Sequence, residues 1–157
     1  MTCCTIIGCQ YAERRGPRLI VMANPPLRPA AADHSVRRDF EQAMHLLHSD
    51  DPGAAAEVCK KALDVAPDNV DLLTLQGVSL LECRRPREAL EPLQRAVDLA
   101  PRFARARENL GQALLQTGRL DEAVEQLQSA AELDPASAST RVTLGHALAA
   151  LGSGEEA

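Results

Sequence analysis

The stretch FARARENLGQALLQTGRLDEAVEQLQSAAELDP, residues 103–135, shows most clearly how this chain is built. Its apolar side chains recur at intervals of three and four residues, first over 103–114 and again over 120–130. This spacing places them along one face of a helix, so the stretch predicts two amphipathic helices. Gly118 lies between the two halves, where a glycine can end a helix in the left-handed conformation.

The same pattern recurs with a period of 34 residues along most of the chain. Columns of small and apolar residues keep this interval: Gly77, Gly111 and Gly145; Pro67, Pro101 and Pro135; Ala55, Ala89, Ala123 and Ala157; Ala62, Ala96 and Ala130; Leu46, Leu80, Leu114 and Leu148. A fixed period of this length is typical of repeat proteins, in which each unit packs on its neighbours. The glycine and alanine columns predict that adjacent helices cross there at close range.

The period predicts an all-α fold of helix pairs over residues 36–157. Helices are expected at 36–48, 53–65, 69–82, 87–99, 103–116, 120–133 and 137–150. Residues 155–157 match 121–123, the opening of a second helix, so we expect the array to be truncated within its fourth unit. Residues 1–35 show no periodicity and are rich in proline, which predicts a disordered or poorly ordered N-terminal tail, with Met22 as a plausible true start.

Composition and charge exclude several classes of function. Aromatic residues make up only 2% of the chain, so the core must be built from Leu, Ala and Val. The net charge is −5, and residues 36–157 alone carry −7, which argues against a nucleic-acid partner. No apolar run approaches the ~20 residues that a membrane-spanning helix needs. Phosphate-loop, serine-hydrolase and zinc-protease motifs are absent from the sequence, so we expect no enzyme and no cofactor in this segment.

The five cysteines favour neither a metal site nor a disulfide. Cys3, Cys4 and Cys9 have no C-x-x-C spacing and no fourth ligand. Cys59 occupies a column that holds leucine in later units, so it is expected to be a buried core residue. Antiparallel helices would offset Cys59 from Cys83 by roughly 10 Å, which is beyond bridging distance. An odd cysteine count without a disulfide predicts a reducing compartment, and hence a cytoplasmic location.

The histidines are also better explained without a metal-binding role. His45 and His48 are three residues apart, a spacing that can bind a metal, but no acidic or thiol side chain follows at helical spacing as a third ligand. We therefore predict no metal site.

The repeat resembles that of tetratricopeptide repeat proteins. Residues 103–135 show this most completely, with Leu110, Gly111, Leu114, Ala123, Leu127, Ala130 and Pro135. The preceding unit has Gln76 in the column of Leu110, and the first unit has Ala43 in the glycine column and Cys59 in a leucine column. The resemblance covers residues 36–157 and implies a right-handed α-solenoid of about three and a half units. It also implies a protein-binding scaffold whose first helices line a concave groove for a peptide or partner protein.

Carried over column by column, the resemblance assigns a peptide-binding groove to thirteen residues, with seven more beside them: Arg37, Glu41, His48, Asp71, Glu82, Ser139 and Thr143. The thirteen are Phe40, Met44, Leu47, Thr74, Leu75, Val78, Arg105, Glu108, Asn109, Gln112, Gln116, Val142 and His146. The first half of this set is apolar and the next part is polar. The expected occupant is an external peptide that is not strongly acidic; the alternative is the chain's own segment 22–34 folding back. The fragment is expected to be a monomer.

Subtypes of the family make further alternatives testable. Arrays that clamp the C-terminal carboxylate of heat-shock chaperones use basic and asparagine side chains at places that here hold Phe40, Met44, Leu75, Arg105 and Asn109, of which Arg105 fits. The asparagine ladder of O-linked N-acetylglucosamine transferases is matched by Asn109 alone. The alternative function is a non-catalytic N-terminal arm of a larger enzyme, such as a bacterial sulfotransferase or an O-linked N-acetylglucosamine-type glycosyltransferase. A third is an oligomerisation spacer.

Overall fold

The computed structural model describes residues 30–154, with side chains from 34 to 152, and this part of the chain forms seven α-helices and no strand. They are α1 (Ala30–His48), α2 (Pro52–Val65), α3 (Val70–Glu82), α4 (Pro86–Leu99), α5 (Ala104–Gln116), α6 (Leu120–Leu133) and α7 (Ala138–Gly154). The predicted all-α repeat solenoid is confirmed. Residues 1–29 and 155–157, and with them most of the predicted tail, lie outside the described residues.

Five helices, α2 to α6, begin and end within one residue of their predicted bounds. The first helix instead begins at Ala30, six residues before the predicted 36. Ala30, Ala31 and Ala32 have no amphipathic periodicity, but alanine has the highest helix propensity. The last helix continues to Gly154, past the predicted end at 150.

The turns inside the first three units share one geometry. Asp50, Arg84 and Gly118 occupy the same column, and all three have a left-handed backbone, with φ of 61°, 59° and 82°. After each of them an amide donates back to a helix carbonyl, as Arg119 N does to Leu114 O at 2.9 Å. This is the hydrogen-bond pattern of a Schellman C-cap. The predicted left-handed helix end at Gly118 is therefore confirmed.

Close helix crossings occur at two of the three glycines of the repeat. A Cβ atom at Gly111 would lie 2.5 Å from Cγ of Leu127 on α6, and Gly77 stands equally close to Leu93 on α4. The prediction of tight crossings is correct at these two sites. At Gly145 it stays a prediction: a Cβ atom there would meet no described atom within 4 Å, because no described helix follows α7 to cross it.

The first unit makes the same crossing with different side chains. Ala43, in the glycine column, and Cys59, in the leucine column, are both fully buried in one apolar cluster. The extra methyl of Ala43 is offset by the smaller side chain of Cys59, which conserves volume across the crossing. The prediction that Cys59 is a core residue is thus confirmed.

The contacts between helices define which side of the array is concave. Each helix packs on the next along the chain, and the first helices α1, α3, α5 and α7 also contact one another in sequence. Within residues 30–154, α2, α4 and α6 make no such contacts with each other. Since the first helices lie closer together than the second helices, the face formed by the first helices is the inner, concave one.

Candidate functional site

All thirteen groove candidates lie on the first helices of the units, α1, α3, α5 and α7. Two columns of the repeat supply eight of them: Phe40, Thr74, Glu108 and Val142, and Met44, Val78, Gln112 and His146. Each side chain in such a column stands above its equivalent in the next unit, because the units repeat every 34 residues. The set does not form one pocket: eleven of the thirteen residues are spread over three neighbouring hollows along the concave face.

The apolar end of the face is a cavity of about 390 Å³ between α1 and α3, with the start of α5 at one side. Seven of the thirteen candidates line it: Phe40, Met44, Leu47, Thr74, Leu75, Val78 and Arg105. The hydroxyl of Thr74 donates to the carbonyl of Val70 at 2.8 Å, so its polar group is already satisfied. The floor of the cavity therefore offers apolar surface to a ligand.

The rim of this cavity is polar and mostly acidic. The carboxylates of Asp50, Asp71 and Glu82 line it, against the single guanidinium of Arg105. His48 also lies on the rim, where its Nδ1 donates to the carbonyl of Met44 at 2.7 Å. The excess of carboxylates gives the rim a negative potential, which favours a cationic group beside whatever fills the cavity.

Three lining residues were absent from the sequence candidates: Asp50, Pro52 and Phe103. These residues lie in or beside the turns that connect the helices, whereas the repeat columns that predict the groove lie on helix faces. Phe103 is the first of the apolar side chains that recur over 103–114, and it packs against the core while remaining partly exposed. Its exposed part contributes to the cavity.

The polar part of the concave face adjoins the apolar cavity. A second hollow lies there, and Val78 and Arg105 line both it and the cavity. This hollow has a volume of about 300 Å³ and is also lined by Glu108 and Asn109. Glu108 accepts a hydrogen bond from the hydroxyl of Ser139 on α7. The Nδ2 atom of Asn109 is buried and has no hydrogen-bond partner among the residues that the structure describes. An unsatisfied buried donor of this kind is costly unless a ligand or water pairs with it.

The remaining candidates lie farther along the face. Gln112 and Gln116 line a third hollow of about 550 Å³, which they share with Glu82 of the acidic rim. Val142 and His146 are exposed on α7, and Val142 retains 58% of its surface. These two residues line none of the three hollows described above.

Residues 30–154 were also searched for a metal site, a reactive thiol and a membrane-spanning helix. No group of three or more His, Cys, Asp or Glu side chains in this range is arranged to hold a metal ion. Cys59 and Cys83 are free thiols, and burial raises the pKa of Cys59 to about 12, which keeps its thiol protonated and unreactive. None of the helices between Ala30 and Gly154 combines the length and apolarity that crossing a membrane requires.

Several solved structures resemble this chain in fold. The first TPR domain of human RPAP3 superposes with a TM-score of 0.75 and 22% identity, covering 79% of this chain and 98% of that domain. The first TPR of Spaghetti (RPAP3), bound to the HSP90 peptide SRMEEVD, has a TM-score of 0.72 at 20% identity over 76% of this chain and 94% of that one.

A mutant O-GlcNAc transferase from Thermobaculum terrenum is more similar in sequence, at 31% identity with a TM-score of 0.71. The match covers 74% of this chain but only 22% of the transferase. Comparison with curated protein sequences gave no match. The family model for the tetratricopeptide repeat matches residues 40–101 and 74–138, which is more than half of the chain. The chain therefore belongs to the tetratricopeptide repeat family.

Proposed function

We propose that this chain is a non-catalytic scaffold that binds a peptide segment of a partner protein along its concave face. The observation that supports this most is the apolar cavity between α1 and α3, which is open to solvent yet lined by Phe40, Met44, Leu75 and Val78. Exposed apolar concavities on water-soluble domains are commonly binding sites, because covering them removes apolar surface from water. A large apolar side chain of the peptide is the anchor that fits this cavity.

The charges around the cavity select the neighbours of that anchor. Asp50, Asp71 and Glu82 favour a Lys or Arg next to the apolar residue, and they oppose an acidic one. The HSP90 peptide seen with Spaghetti, SRMEEVD, is acidic at its C-terminal end. Here Phe40, Met44 and Leu75 stand at places where chaperone-binding arrays have polar or basic side chains. We therefore propose a ligand that is apolar and basic rather than an acidic chaperone tail.

The polar hollow provides for the continuation of the peptide. Asn109 lines this hollow, and a rotation of its side chain would turn the buried, unpaired Nδ2 towards a backbone carbonyl of an extended ligand. Gln112 and Gln116 offer further donors and acceptors one and two turns along the same helix. A peptide that runs from α1 towards α5 would thus meet apolar surface first and hydrogen-bonding groups afterwards.

A dodecamer peptide library displayed on phage, selected against the purified chain, tests this proposal. We expect the enriched peptides to share one large apolar residue flanked by Lys or Arg. Phe40→Ala should weaken the best peptide by about 1–3 kcal/mol, because a buried aromatic contact usually dominates such binding. Leu99→Ala is the matched control, since Leu99 is exposed on α4, away from the concave face. An acidic consensus would contradict the proposal, and so would Phe40→Ala and Asn109→Ala variants that both bind the best peptide as tightly as the unaltered chain does.

The similarity to the Thermobaculum terrenum O-GlcNAc transferase supports a second candidate. In it, this segment is the protein-binding arm of a larger glycosyltransferase, and the concave face presents protein substrates to a catalytic domain. The coding sequence that follows codon 157 decides between the two. A glycosyltransferase domain in the same reading frame would support the arm, and a stop codon would support the free-standing scaffold.

A further inference from the structure

The carboxylates on the rim of the concave cavity lack basic partners within the described part of the chain. Asp50, Asp71 and Glu82 line this rim, and none of them forms an ion pair with a residue between 34 and 152. The cavity beside them has a volume of about 390 Å³ and is lined by Phe40 and Met44. A segment that combines basic side chains with large apolar ones would therefore complement both parts of the site.

The chain itself carries such a segment ahead of its first helix, outside the described residues. Residues 14–22 read RRGPRLIVM, with three arginines, four consecutive apolar residues after them and no acidic side chain. The flanking stretches are poorer in charge of this sign. Residues 1–13 hold one acidic and no basic side chain, and residues 23–29 hold Arg28 as their single basic one. Among the residues before α1, charge complementarity to the rim thus favours residues 14–22.

The connection to α1 is long enough for this segment to reach the cavity. Phe40 and Met44 lie ten and fourteen residues beyond Ala30, the first residue of α1. At a rise of 1.5 Å per residue these positions are roughly 15 and 21 Å along the helix. Residues 19–29, when extended, span up to about 36 Å. Leu19 can therefore reach Met44 if the segment runs back antiparallel to α1.

We propose that residues 14–22 occupy the concave cavity of the free chain, so that an external ligand must displace them. This inference rests on the proposed function, since it concerns the same ligand site. The apolar run 19–22 fills the cavity, and the arginines lie against the carboxylates of the rim. A tethered segment with a Kd of about 100 µM would occupy most cavities, because tethering supplies an effective concentration on the order of 1 mM. The inference concerns the chain that includes these residues, not a product that starts at Met22.

A labelled synthetic peptide of residues 14–23 tests the occupancy, with fluorescence anisotropy measuring its affinity for the full chain. The triple variant Arg14→Ser, Arg15→Ser, Arg18→Ser should bind this peptide about tenfold more tightly than the unaltered chain, because the tethered segment no longer competes. The triple variant Arg14→Lys, Arg15→Lys, Arg18→Lys keeps the charge and should bind as the unaltered chain does. The double variant Leu27→Ser, Arg28→Ser alters the neighbouring stretch and should also leave the affinity unchanged.

Two further variants locate the peptide, each made in the background of the triple serine variant. Phe40→Ala should weaken peptide binding about tenfold, because it removes an aromatic side chain from the cavity. Leu99→Ala is the matched control on α4 and should have no effect. Without any peptide, the amides of Met44 and Leu75 should differ in chemical shift between the unaltered chain and the triple serine variant. This difference would report the occupied cavity directly.

Four results would overturn this inference. The peptide could bind the unaltered chain and the triple serine variant equally, or bind neither. A gain in affinity from Leu27→Ser, Arg28→Ser alone would assign the cavity to the neighbouring stretch. A concentration-dependent dimer that the triple serine variant lacks, measured by sedimentation, would assign it to the segment of a second copy.

The inference and the proposed function can fail separately. If peptides from the phage selection bind the groove but the triple serine variant gains no affinity, the self-occupancy is wrong and the scaffold role stands. If the selection gives no groove-binding peptide while residues 14–23 bind the triple serine variant more tightly, the segment occupies the cavity and the proposed external ligand is wrong.

Discussion

Gly111 and Gly145 occupy the same column of the repeat but have opposite surroundings, and this difference predicts opposite effects of one substitution. Gly111→Ala places a Cβ atom 2.5 Å from Cγ of Leu127 and 3.3 Å from the carbonyl oxygen of Ala123. We expect it to lower the free energy of unfolding by about 1–3 kcal/mol through overpacking. Gly145→Ala meets open space, so it should raise that free energy by up to about 1 kcal/mol through helix propensity. Urea unfolding of both variants measures this, and effects of the same sign would contradict the register of the helix crossings.

Arg84 has a left-handed backbone, with φ of 59°, that its side chain disfavours. Arg84→Gly should therefore raise the free energy of unfolding by about 1 kcal/mol, because glycine adopts this conformation without a steric penalty. Asp50→Gly is the matched comparison at the same turn of the first unit, and its gain should be smaller because aspartate tolerates left-handed φ better. Thermal unfolding of the two variants is the measurement. A loss of stability in Arg84→Gly would mean that the turn does not have this geometry.

The buried thiol of Cys59 predicts a dependence of stability on pH. Burial raises its pKa from 9.0 to about 12, so the folded chain keeps the proton that the unfolded chain releases above pH 9. The contribution of the thiol is fully present below pH 9 and is lost as pH rises towards 12. The stability difference between the unaltered chain and Cys59→Ala should therefore shrink in urea unfolding as the pH rises from about 9 towards 12. A constant difference would contradict the burial of this thiol.

At the scale of the helices, the sequence predicts the bounds of a helix correctly where repeat units lie on both sides of it. Helices α2 to α6 were placed within one residue, because each lies between neighbours of the same pattern. The end of α7, predicted at residue 150, lies four residues later, at Gly154. Gly118 turns the chain so that α6 can pack on α5, whereas no described segment follows α7, and Gly152 stays helical. The candidate site shows the same difference. The repeat columns predict which helix residues face the groove, but they do not predict Asp50, Pro52 and Phe103, which lie in or beside turns and complete the cavity.

Among helices α2 to α7, we expect the backbone amides of α7 to be the least protected from hydrogen exchange. Among its described residues it buries only Thr140 and Ala147, while α3 buries eight residues between two neighbouring helices. Local opening costs less free energy where fewer apolar contacts are lost. Hydrogen exchange followed by mass spectrometry should find α7 exchanging fastest and α3 slowest of α2 to α7. Equal protection of α3 and α7 would contradict this order.

At the scale of the whole molecule, the concave face is the surface that we propose binds a partner. The concave face joins an apolar cavity with an acidic rim to a polar hollow. The net charge of −5 adds a long-range preference for partners that are not acidic.

The proposed role of the concave face is tested most sharply by mapping a bound peptide onto the isotope-labelled chain by nuclear magnetic resonance. The peptide is the strongest binder from the phage selection, added to the full chain in increasing amounts. We expect the largest amide shifts on α1 and α3 around Met44, Leu75 and Val78, with smaller shifts on α5 near Asn109. Shifts concentrated on α2, α4 and α6, with those amides of α1 and α3 unchanged, would contradict the assignment of the groove.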